Sequence, residues 1–355
     1  MHTFFIILII VFILWVIASL FLTGPDLRRF DTPMPEVFDE HEDDLKQTAK
    51  FFEVTQQLHA KISKQKSFRK GLQEIRLFAD NLSSDLITDT IFKAASVNNV
   101  SVEWAIAPGA DHKRRILFMH GGAFVFGSAL GHRKYCDHLS KIANAAVCSV
   151  NYRMLPEHGR LKGINDCQQA YRWILENGPD GAEELEFLMV SGDSAGGNLA
   201  LMLSGWAKEL DIRKPDGVVA FSPSTDMTLS SPTIKAHQHS DKMLGALAPL
   251  SKVPKAIAAW MSFLFLRINP AHKLASPLFG NLSNLPPTLI HGSSNEMLLG
   301  DGIRYTNKAI AAGSPVKMQI WKNQMHDWHL FNMGYGSAEN AWFEVQKFID
   351  HLNER

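Results

Sequence analysis

The chain has 355 residues, of which 46% are apolar and 20% are charged, so it can bury a sizeable core. Lys and Arg number 36, as do Asp and Glu, and this zero formal charge excludes the broad basic surface of a nucleic-acid-binding protein. The three cysteines, Cys136, Cys148 and Cys167, fit no metal-ligand spacing and favour buried thiols over a disulfide framework.

The chain opens with the apolar segment Phe4–Leu22, in which Ser19 is the one polar residue. As a helix it reaches about 28 Å, which is close to the hydrocarbon thickness of a bilayer. A cleavable signal peptide is the alternative, but its apolar region is usually about 7–15 residues and follows a basic segment. We therefore expect residues 1–23 to form an uncleaved membrane anchor, and Arg28 and Arg29 after it favour a cytoplasmic location for the rest of the chain.

Residues 24–97 are more polar than the rest of the chain. Pro33 and Pro35 predict an extended linker, and residues 36–79 carry apolar side chains at helical spacing. The acidic run 39–44 lies in this region. We expect a solvated helix face rather than a metal site, because the sequence shows no second cluster of ligand residues that would complete such a site.

Downstream of residue 97, apolar runs alternate with helical patterns, which is typical of an α/β protein with a mostly parallel sheet flanked by helices. The predicted strands span residues 100–106, 115–119, 146–151, 187–191, 218–222, 288–291 and 317–321. The predicted helices span residues 132–143, 164–176, 197–207, 302–312 and 338–352. Ligands of such sheets bind beyond the carboxyl ends of the strands, so the loops that follow them should carry the chemistry.

The strand at 187–191 runs into Gly192-Asp-Ser194-Ala-Gly196, and a small-residue helix follows at once. This order predicts a nucleophile elbow, in which a tight turn pushes the Ser194 hydroxyl out of the sheet. The pentapeptide alone arises by chance in unrelated Gly-rich turns, so its context carries the prediction. The N–H of Ala195 begins the helix and should face an oxyanion formed at Ser194.

The loop after the strand at 115–119 reads His120-Gly-Gly-Ala-Phe124. Acyl transfer needs fixed N–H donors on the developing oxyanion, and consecutive glycines let the backbone approach it. We expect Gly121 and Gly122 to donate together with Ala195. His120 is expected to hold the shape of the loop by hydrogen bonding rather than to move protons.

A serine nucleophile needs a base and an acid, and in this fold both follow the serine in the chain. Glu296 lies in the loop after the sixth predicted strand, whereas Asp301 is placed to cap the next helix. His326 comes first after the seventh strand, and His329 follows as a packed or exposed neighbour. We expect Glu296 as the acid and His326 as the base, with Asp301 and His329 as the alternatives.

Four motifs in this order carry a resemblance to a known family: His120-Gly-Gly-Ala-Phe124, Asn151-Tyr-Arg-Met-Leu-Pro-Glu-His158, Gly192-Asp-Ser-Ala-Gly-Gly-Asn198 and Ala275-Ser-Pro-Leu-Phe with Leu285-Pro-Pro-Thr-Leu. From residue 100 onward the chain resembles the hormone-sensitive-lipase-like branch of the α/β-hydrolases. The resemblance implies an α/β-hydrolase fold and a serine carboxylesterase with Ser194 as nucleophile, His326 as base and Glu296 as acid. It implies no metal and no organic cofactor, and structural roles for Arg153 and Glu157.

The resemblance also implies a helical cap built by residues 24–97 and by an insertion at 224–274. The hydrolase core would then comprise residues 98–223 and 275–355. Within the insertion, the apolar stretch 256–266 is too short to cross a bilayer, so we expect a helix packed on the core or lining an acyl pocket. An anchor ahead of this core is similar in layout to arylacetamide deacetylase.

One departure from the family concerns Ala123, which replaces the third glycine of its His-Gly-Gly-Gly motif. This matters if the third backbone N–H must approach the oxyanion. The expected activity is hydrolysis of short- to medium-chain or lipid-like esters through an acyl-enzyme. An amidase, deacetylase or lactonase would use the same groups, and a non-catalytic ligand receptor is the remote alternative.

Overall fold

The computed structural model describes residues 2–245, 249, 252–331 and 333–354, so part of the predicted cap insertion lies outside the described residues. The strands in this part of the chain are β1 (Glu36–Phe38), β2 (Ile91–Val97), β3 (Val100–Ile106), β4 (Asp111–Met119), β5 (Ala145–Asn151), β6 (Asn177–Gly178), β7 (Gly181–Ala182), β8 (Phe187–Asp193), β9 (Gly217–Phe221), β10 (Thr288–Ser293) and β11 (Val316–Trp321). The α-helices are α1 (His2–Ile17), α2 (Asp44–Ser63), α3 (Phe68–Asp80), α4 (Arg133–Ala143), α5 (Arg160–Ile174), α6 (Ala195–Glu209), α7 (Thr233–Ala236), α8 (Lys255–Leu266), α9 (Leu299–Ala311), α10 (Trp328–Phe331) and α11 (Gly336–Asn353).

The main sheet has the strand order β1-β11-β10-β9-β8-β4-β5-β3-β2 within the described residues. Its strands pair in parallel except at one edge, where β3 is antiparallel to both β2 and β5. The predicted α/β architecture, a mostly parallel sheet flanked by helices, is therefore confirmed. Every strand predicted from the sequence is present.

Two edge strands were not predicted. Glu36–Phe38 lies in a stretch with helical spacing, yet it forms β1 and pairs in parallel with β11. Ile91–Val97 forms β2, which pairs with β3. Both are edge strands with one pairing partner, and their side chains alternate weakly between exposed and buried, so the sequence carries little of the period that marks a strand.

Side-chain alternation on the central strand β4 separates two apolar layers. Ile116 and Phe118 pack with α4 and α11 on one face, whereas Leu117 and Met119 pack with α5 and α6 on the other. All four side chains are fully buried. Burial of each side chain stabilises the fold by about 1.5–3 kcal/mol. Because both faces of the strand are covered, its sequence is an unbroken apolar run.

The parallel strands bring four loops to one edge of the sheet. The loops follow β4, β8, β10 and β11, whose carboxyl ends lie side by side because the strands run in the same direction. The sequence placed its candidate oxyanion donors, nucleophile, acid and base in these same four loops. The fold therefore gathers residues that are far apart in the chain.

The N-terminal segment forms α1, and a π-helical turn at Ala18–Leu22 continues it. The helical stretch Phe4–Leu22 is long and apolar enough to cross a membrane. Beyond it, α2 and α3 form a helical hairpin, and α8 belongs to the insertion that follows β9.

The acidic run 39–44 was predicted to be a solvated face, and this is wrong at Asp44. Its carboxylate is buried and accepts hydrogen bonds from the His41 N–H at 2.8 Å, the Ser337 N–H at 3.0 Å, the Ser337 hydroxyl at 2.6 Å and the Gln324 side-chain amide at 2.7 Å. Asp44 therefore ties α2 to α11 and to the loop after β11.

Asp44→Ala should lower the free energy of unfolding by about 2–4 kcal/mol, because it leaves buried donors of Ser337 and Gln324 without an acceptor. Asp43→Ala is the matched control, since the Asp43 side chain is 52% exposed and forms surface ion pairs only. It should change stability by less than about 1 kcal/mol. Chemical denaturation of both variants measures the difference, and equal effects would contradict a structural role for Asp44.

Candidate active site

The turn between β8 and α6 holds Ser194 in a backbone conformation that side chains rarely adopt, with φ +51° and ψ −111°. Its N–H donates to the Phe221 carbonyl oxygen at 2.7 Å, which fixes the turn against β9. A Cβ on Gly196 would collide with the Met119 carbonyl oxygen. The turn is therefore pressed against the end of β4, and only glycine permits this approach.

Ser194, His326 and Glu296 form a hydrogen-bonded series. The Ser194 hydroxyl lies 2.8 Å from His326 Nε2, and His326 Nδ1 lies 2.8 Å from Glu296 Oε2. The second Glu296 oxygen accepts from the Ser293 N–H at 2.7 Å, which orients the carboxylate. His326 and Glu296 are almost fully buried, and Ser194 is 9% exposed. The structure thus brings together the three residues that the sequence named for the triad.

Asp301, the alternative acid, is engaged elsewhere. Its carboxylate accepts from the N–H groups of Thr225 and Asp226 at 2.8 and 2.9 Å, and burial raises its pKa well above the usual value. The expectation that Asp301 caps the following helix is also wrong. That helix begins at Leu299, and the carboxylate fastens a different segment to it.

His329, the alternative base, is a buried packing residue. Its Nε2 lies 2.9 Å from Nδ1 of His291, and its ring packs against Phe221. Burial lowers the pKa of His329 well below its usual value, so the ring is neutral. Its hydrogen bond to His291 leaves His326 as the histidine that contacts Ser194.

The prediction that Gly121 donates to the oxyanion is wrong. Its N–H already donates to Asp193 Oδ1 at 3.0 Å, and a Cβ at this position would collide with the same carboxylate. Among the described residues, the N–H groups of Gly122 and Ala123 have no hydrogen-bond acceptor, and Ala195 is the first residue of α6, where no preceding turn supplies one. Ala123 and Ala195 also line the cavity beside the nucleophile. Gly122, Ala123 and Ala195 therefore remain as the candidate oxyanion donors.

A buried polar network behind this loop fixes its shape. The Asp193 carboxylate lies 3.3 Å from His132 Nε2 in addition to accepting from Gly121. Burial lowers the pKa of His120 to about 3, so its ring is neutral and its Nδ1 donates to the Gly121 carbonyl oxygen at 2.8 Å. Asp193 was not predicted as part of the site, and its one signal in the sequence is its position directly before Ser194 at the end of a buried strand.

Two ion pairs brace the surrounding loops. The Arg76 guanidinium donates to both Glu157 oxygens at 2.8 Å and to the Val125 carbonyl oxygen at 2.9 Å. Val125 belongs to the loop between β4 and α4 (residues 120–132), which is called the oxyanion loop below. Arg153 pairs with the buried carboxylate of Asp166. Glu157 and Arg153 therefore have structural partners, and Arg76 of α3 is a residue that sequence reasoning missed.

A cavity of about 620 Å³ opens beside Ser194 and is mostly apolar. Its walls come from the oxyanion loop, the α2–α3 hairpin, α8 and the loops after β9 and β10. The apolar lining includes Ile62, Phe68, Leu72, Ile75, Phe124, Val125, Phe126, Met227, Leu229, Phe265, Leu266 and Leu298. In the part of the chain that the structure describes, no three His, Cys, Asp or Glu side chains are grouped to hold a metal ion.

A second carboxylate contacts the candidate base. Asp327 Oδ2 lies 3.2 Å from His326 Nε2, on the nitrogen that faces Ser194. Burial lowers the pKa of His326, but the charge of Asp327 together with the hydrogen bond and charge of Glu296 outweigh burial and raise it to about 10. Burial also raises the pKa of Asp327 well above its usual value. The two groups therefore titrate as a pair.

The chain is similar to known proteins in sequence and in fold. A family model described as alpha/beta hydrolase fold matches residues 116–330. The esterase LipU of Mycobacterium tuberculosis is 34% identical over 264 residues, covering 73% of this chain and 86% of LipU. The carboxylesterase/phospholipase LipF of the same organism is 32% identical over 267 residues, covering 73% of this chain and 69% of LipF. The crystal structure of an esterase from the bacterial hormone-sensitive lipase family matches with TM-score 0.69 and 27% identity, covering 82% of this chain and 94% of that one.

Glu296→Gln should lower kcat by about 10²–10⁴, because a neutral amide no longer stabilises the imidazolium that forms on His326. Asp301→Asn is the matched control and should keep kcat within about threefold, since that side chain bonds to Thr225 and Asp226. Steady-state hydrolysis of a p-nitrophenyl ester by both variants checks this. A larger loss in Asp301→Asn than in Glu296→Gln would reverse the assignment of the acid.

Asp327→Asn should shift the acidic limb of the kcat/KM profile to lower pH. His326 accepts a proton only when unprotonated, so a raised pKa makes activity fall as the pH drops through that value. Removing the Asp327 charge lowers the pKa of His326 and extends activity toward acid by at least about half a pH unit. The measurement is kcat/KM against pH, with Asp301→Asn as control. An acidic limb that stays in place or moves to higher pH would contradict the coupling between Asp327 and His326.

Proposed function

This chain belongs to the α/β-hydrolase fold family, in its hormone-sensitive-lipase-like branch, and is a carboxylic ester hydrolase; we propose that Ser194, His326 and Glu296 are its catalytic triad. The observation that carries the proposal is the hydrogen-bonded series itself, with 2.8 Å at both contacts of His326. An oxygen nucleophile at the wall of an apolar cavity, with a base and an orienting acid behind it, supports covalent catalysis.

The first half of the proposed reaction forms an acyl-enzyme. Ser194 Oγ attacks the ester carbonyl carbon while His326 Nε2 accepts the hydroxyl proton. The resulting oxyanion is stabilised by the N–H groups of Gly122, Ala123 and Ala195. As the intermediate collapses, the carbon–oxygen bond to the alcohol breaks and His326 returns the proton to the leaving alkoxide. Glu296 stabilises the imidazolium throughout this step.

The second half releases the acid. A water molecule attacks the acyl-enzyme carbonyl carbon while His326 accepts one of its protons, and the same three N–H groups stabilise the second oxyanion. The bond to Ser194 Oγ then breaks and His326 returns the proton to that oxygen. The reaction consumes one water molecule for each ester bond and regenerates the free enzyme.

We propose that the α2–α3 hairpin and residues 224–274 form the cap that closes the acyl pocket; β1 and β2, which lie within the segment 24–97 that the sequence gave to the cap, belong to the main sheet instead. Both segments contribute cavity walls, the first through Ile62 and Phe68 and the second through Met227 and Phe265. An apolar cavity of about 620 Å³ favours short- to medium-chain or lipid-like acyl groups over polar ones. The name of the relative LipF includes phospholipase, which fits this substrate class.

We also propose that the helical stretch Phe4–Leu22 is a single-pass membrane anchor. Its length and composition support this, as does its exposure, since the large apolar residues from Phe4 to Trp15 are each between 42% and 62% exposed. Exposing this much apolar surface to water would be costly in free energy, whereas a bilayer would cover it.

Ser194→Ala should lower kcat by at least about 10⁴ while the fold stays intact, because the reaction loses its nucleophile. An organophosphate should add one covalent adduct to the wild-type chain, located on Ser194 by peptide mass spectrometry, and none there in the variant. Circular dichroism controls for folding. Wild-type turnover in Ser194→Ala would exclude the proposed mechanism.

A further inference from the structure

The insertion helix α8 lies beside the end of the apolar span. Ala259 packs with Ala18 and Leu22 in one buried cluster, and Trp260 Nε1 donates to the Leu14 carbonyl oxygen at 3.0 Å. Leu14 precedes the end of the span by about 12 Å along a helix. If Phe4–Leu22 crosses a bilayer as proposed above, α8 lies against the half of the span that ends at Leu22, within the membrane rather than in bulk water.

The free face of α8 is suited to that depth. Ile257, Met261, Leu264 and Phe265 are between 45% and 69% exposed, and their spacing places them on one side of the helix. Lys255 at the first position is the one charged residue in α8. The exposed apolar surface of the span therefore continues onto α8, which agrees with a helix face that a membrane covers.

A second element, which lines the same cavity as α8, carries a different chemistry. Residues 61–70, the basic segment, join α2 to α3 and contain no acidic residue. The exposed cations of this segment are Lys61, Lys64, Lys66, Arg69 and Lys70. Phe68 lies among them and is 75% exposed. Exposed cations around an exposed aromatic ring suit the headgroup layer of an anionic bilayer.

These two elements meet at the catalytic cavity. Phe68 of the basic segment and Phe265 of α8 both line it and are both exposed, whereas Ser194 lines it and is 9% exposed. The cavity therefore runs from the surface between the basic segment and α8 inward to the nucleophile. Its outer end lies on the same side of the protein as the span that α8 contacts.

We propose that α8 and the basic segment form a membrane-contacting rim through which a lipid-like ester passes from an anionic bilayer directly to Ser194. The rim rests on the proposed anchor and on the proposed nucleophile. The apolar face of α8 enters the acyl layer, and Lys64, Lys66 and Arg69 bind lipid phosphates. The substrate enters acyl chain first along Phe68 and Phe265, so its ester group reaches Ser194 without crossing water.

The position of the rim is tested with the full chain reconstituted in vesicles of phosphatidylcholine and phosphatidylglycerol. The native cysteines are buried, so Leu264→Cys and Phe343→Cys can each be labelled with a fluorophore. Phe343 is the matched control, because it is 56% exposed but lies on α11. Nitroxide lipids should quench the label at Leu264→Cys by at least about twofold and leave that at Phe343→Cys unchanged. Equal quenching at both positions would overturn the rim.

The route of the substrate is tested by kinetics. In the double variant Ile257→Ser with Leu264→Ser, kcat/KM for a long-chain ester dissolved in the vesicles should fall by at least about tenfold. Neither residue lines the cavity, so kcat/KM for water-soluble p-nitrophenyl acetate should change by less than about twofold. Phe343→Ser should change neither rate. If the double variant keeps its rate on the vesicle ester, the proposed route is wrong.

The basic segment is tested by lipid charge. Lys64→Gln with Lys66→Gln should slow hydrolysis of the vesicle ester by at least about fivefold in anionic vesicles and leave it unchanged in pure phosphatidylcholine. Equal rates in both vesicle types for wild type and variant would overturn the role of these cations.

Failures of the underlying proposals give different results. If the wild-type chain does not float with vesicles, the anchor fails and the rim with it. If Ser194→Ala retains hydrolysis of p-nitrophenyl acetate, the nucleophile is wrong. If the wild type floats and hydrolyses both esters while the rim variants behave like Phe343→Ser, the inference about the rim alone is overturned.

Discussion

The active site depends on the close packing of the β8–α6 turn against the end of β4. A Cβ on Gly196 would collide with the Met119 carbonyl oxygen, so the two backbones touch with no side chain between them. This contact holds Ser194 at a positive φ, with its hydroxyl outside the sheet and beside the loop that follows β4. Ser194 and Ala123 line the same cavity where these backbones approach each other.

Buried carboxylates hold the polar groups around Ser194 in fixed hydrogen-bonded pairs. Asp193 accepts from Gly121 and removes that N–H from the set of oxyanion donors. Glu296 orients His326 from one ring nitrogen, while Asp327 contacts the other. Low polarizability around these groups makes each contact strong and makes an unpaired group costly. The positions of the reacting atoms are therefore fixed before any substrate binds, which lowers the reorganisation needed during acyl transfer.

The elements outside the hydrolase core lie around the cavity rather than in the hydrogen-bonded series of Ser194, His326 and Glu296. The α2–α3 hairpin and α8 supply much of the apolar cavity wall, and α8 also contacts the candidate span through Trp260. Arg76 links α3 to the hydrolase core, since it bonds to Glu157 and to the Val125 carbonyl oxygen in the oxyanion loop. A shift of the α2–α3 hairpin would therefore move the oxyanion loop as well as the cavity wall.

The sequence by itself determined the alternation of strands and helices and the loops that hold Ser194, Glu296 and His326. Those features depend on local patterns: apolar runs, glycines at tight turns and the position of a residue after a strand. Only the tertiary structure decided which groups pair. The Gly121 N–H donates to Asp193, which lies 72 residues away, instead of facing an oxyanion, and Asp44 is buried against Ser337, 293 residues away. A hydrogen bond between distant segments depends on how the sheet brings them together, and no local pattern in the chain records that geometry.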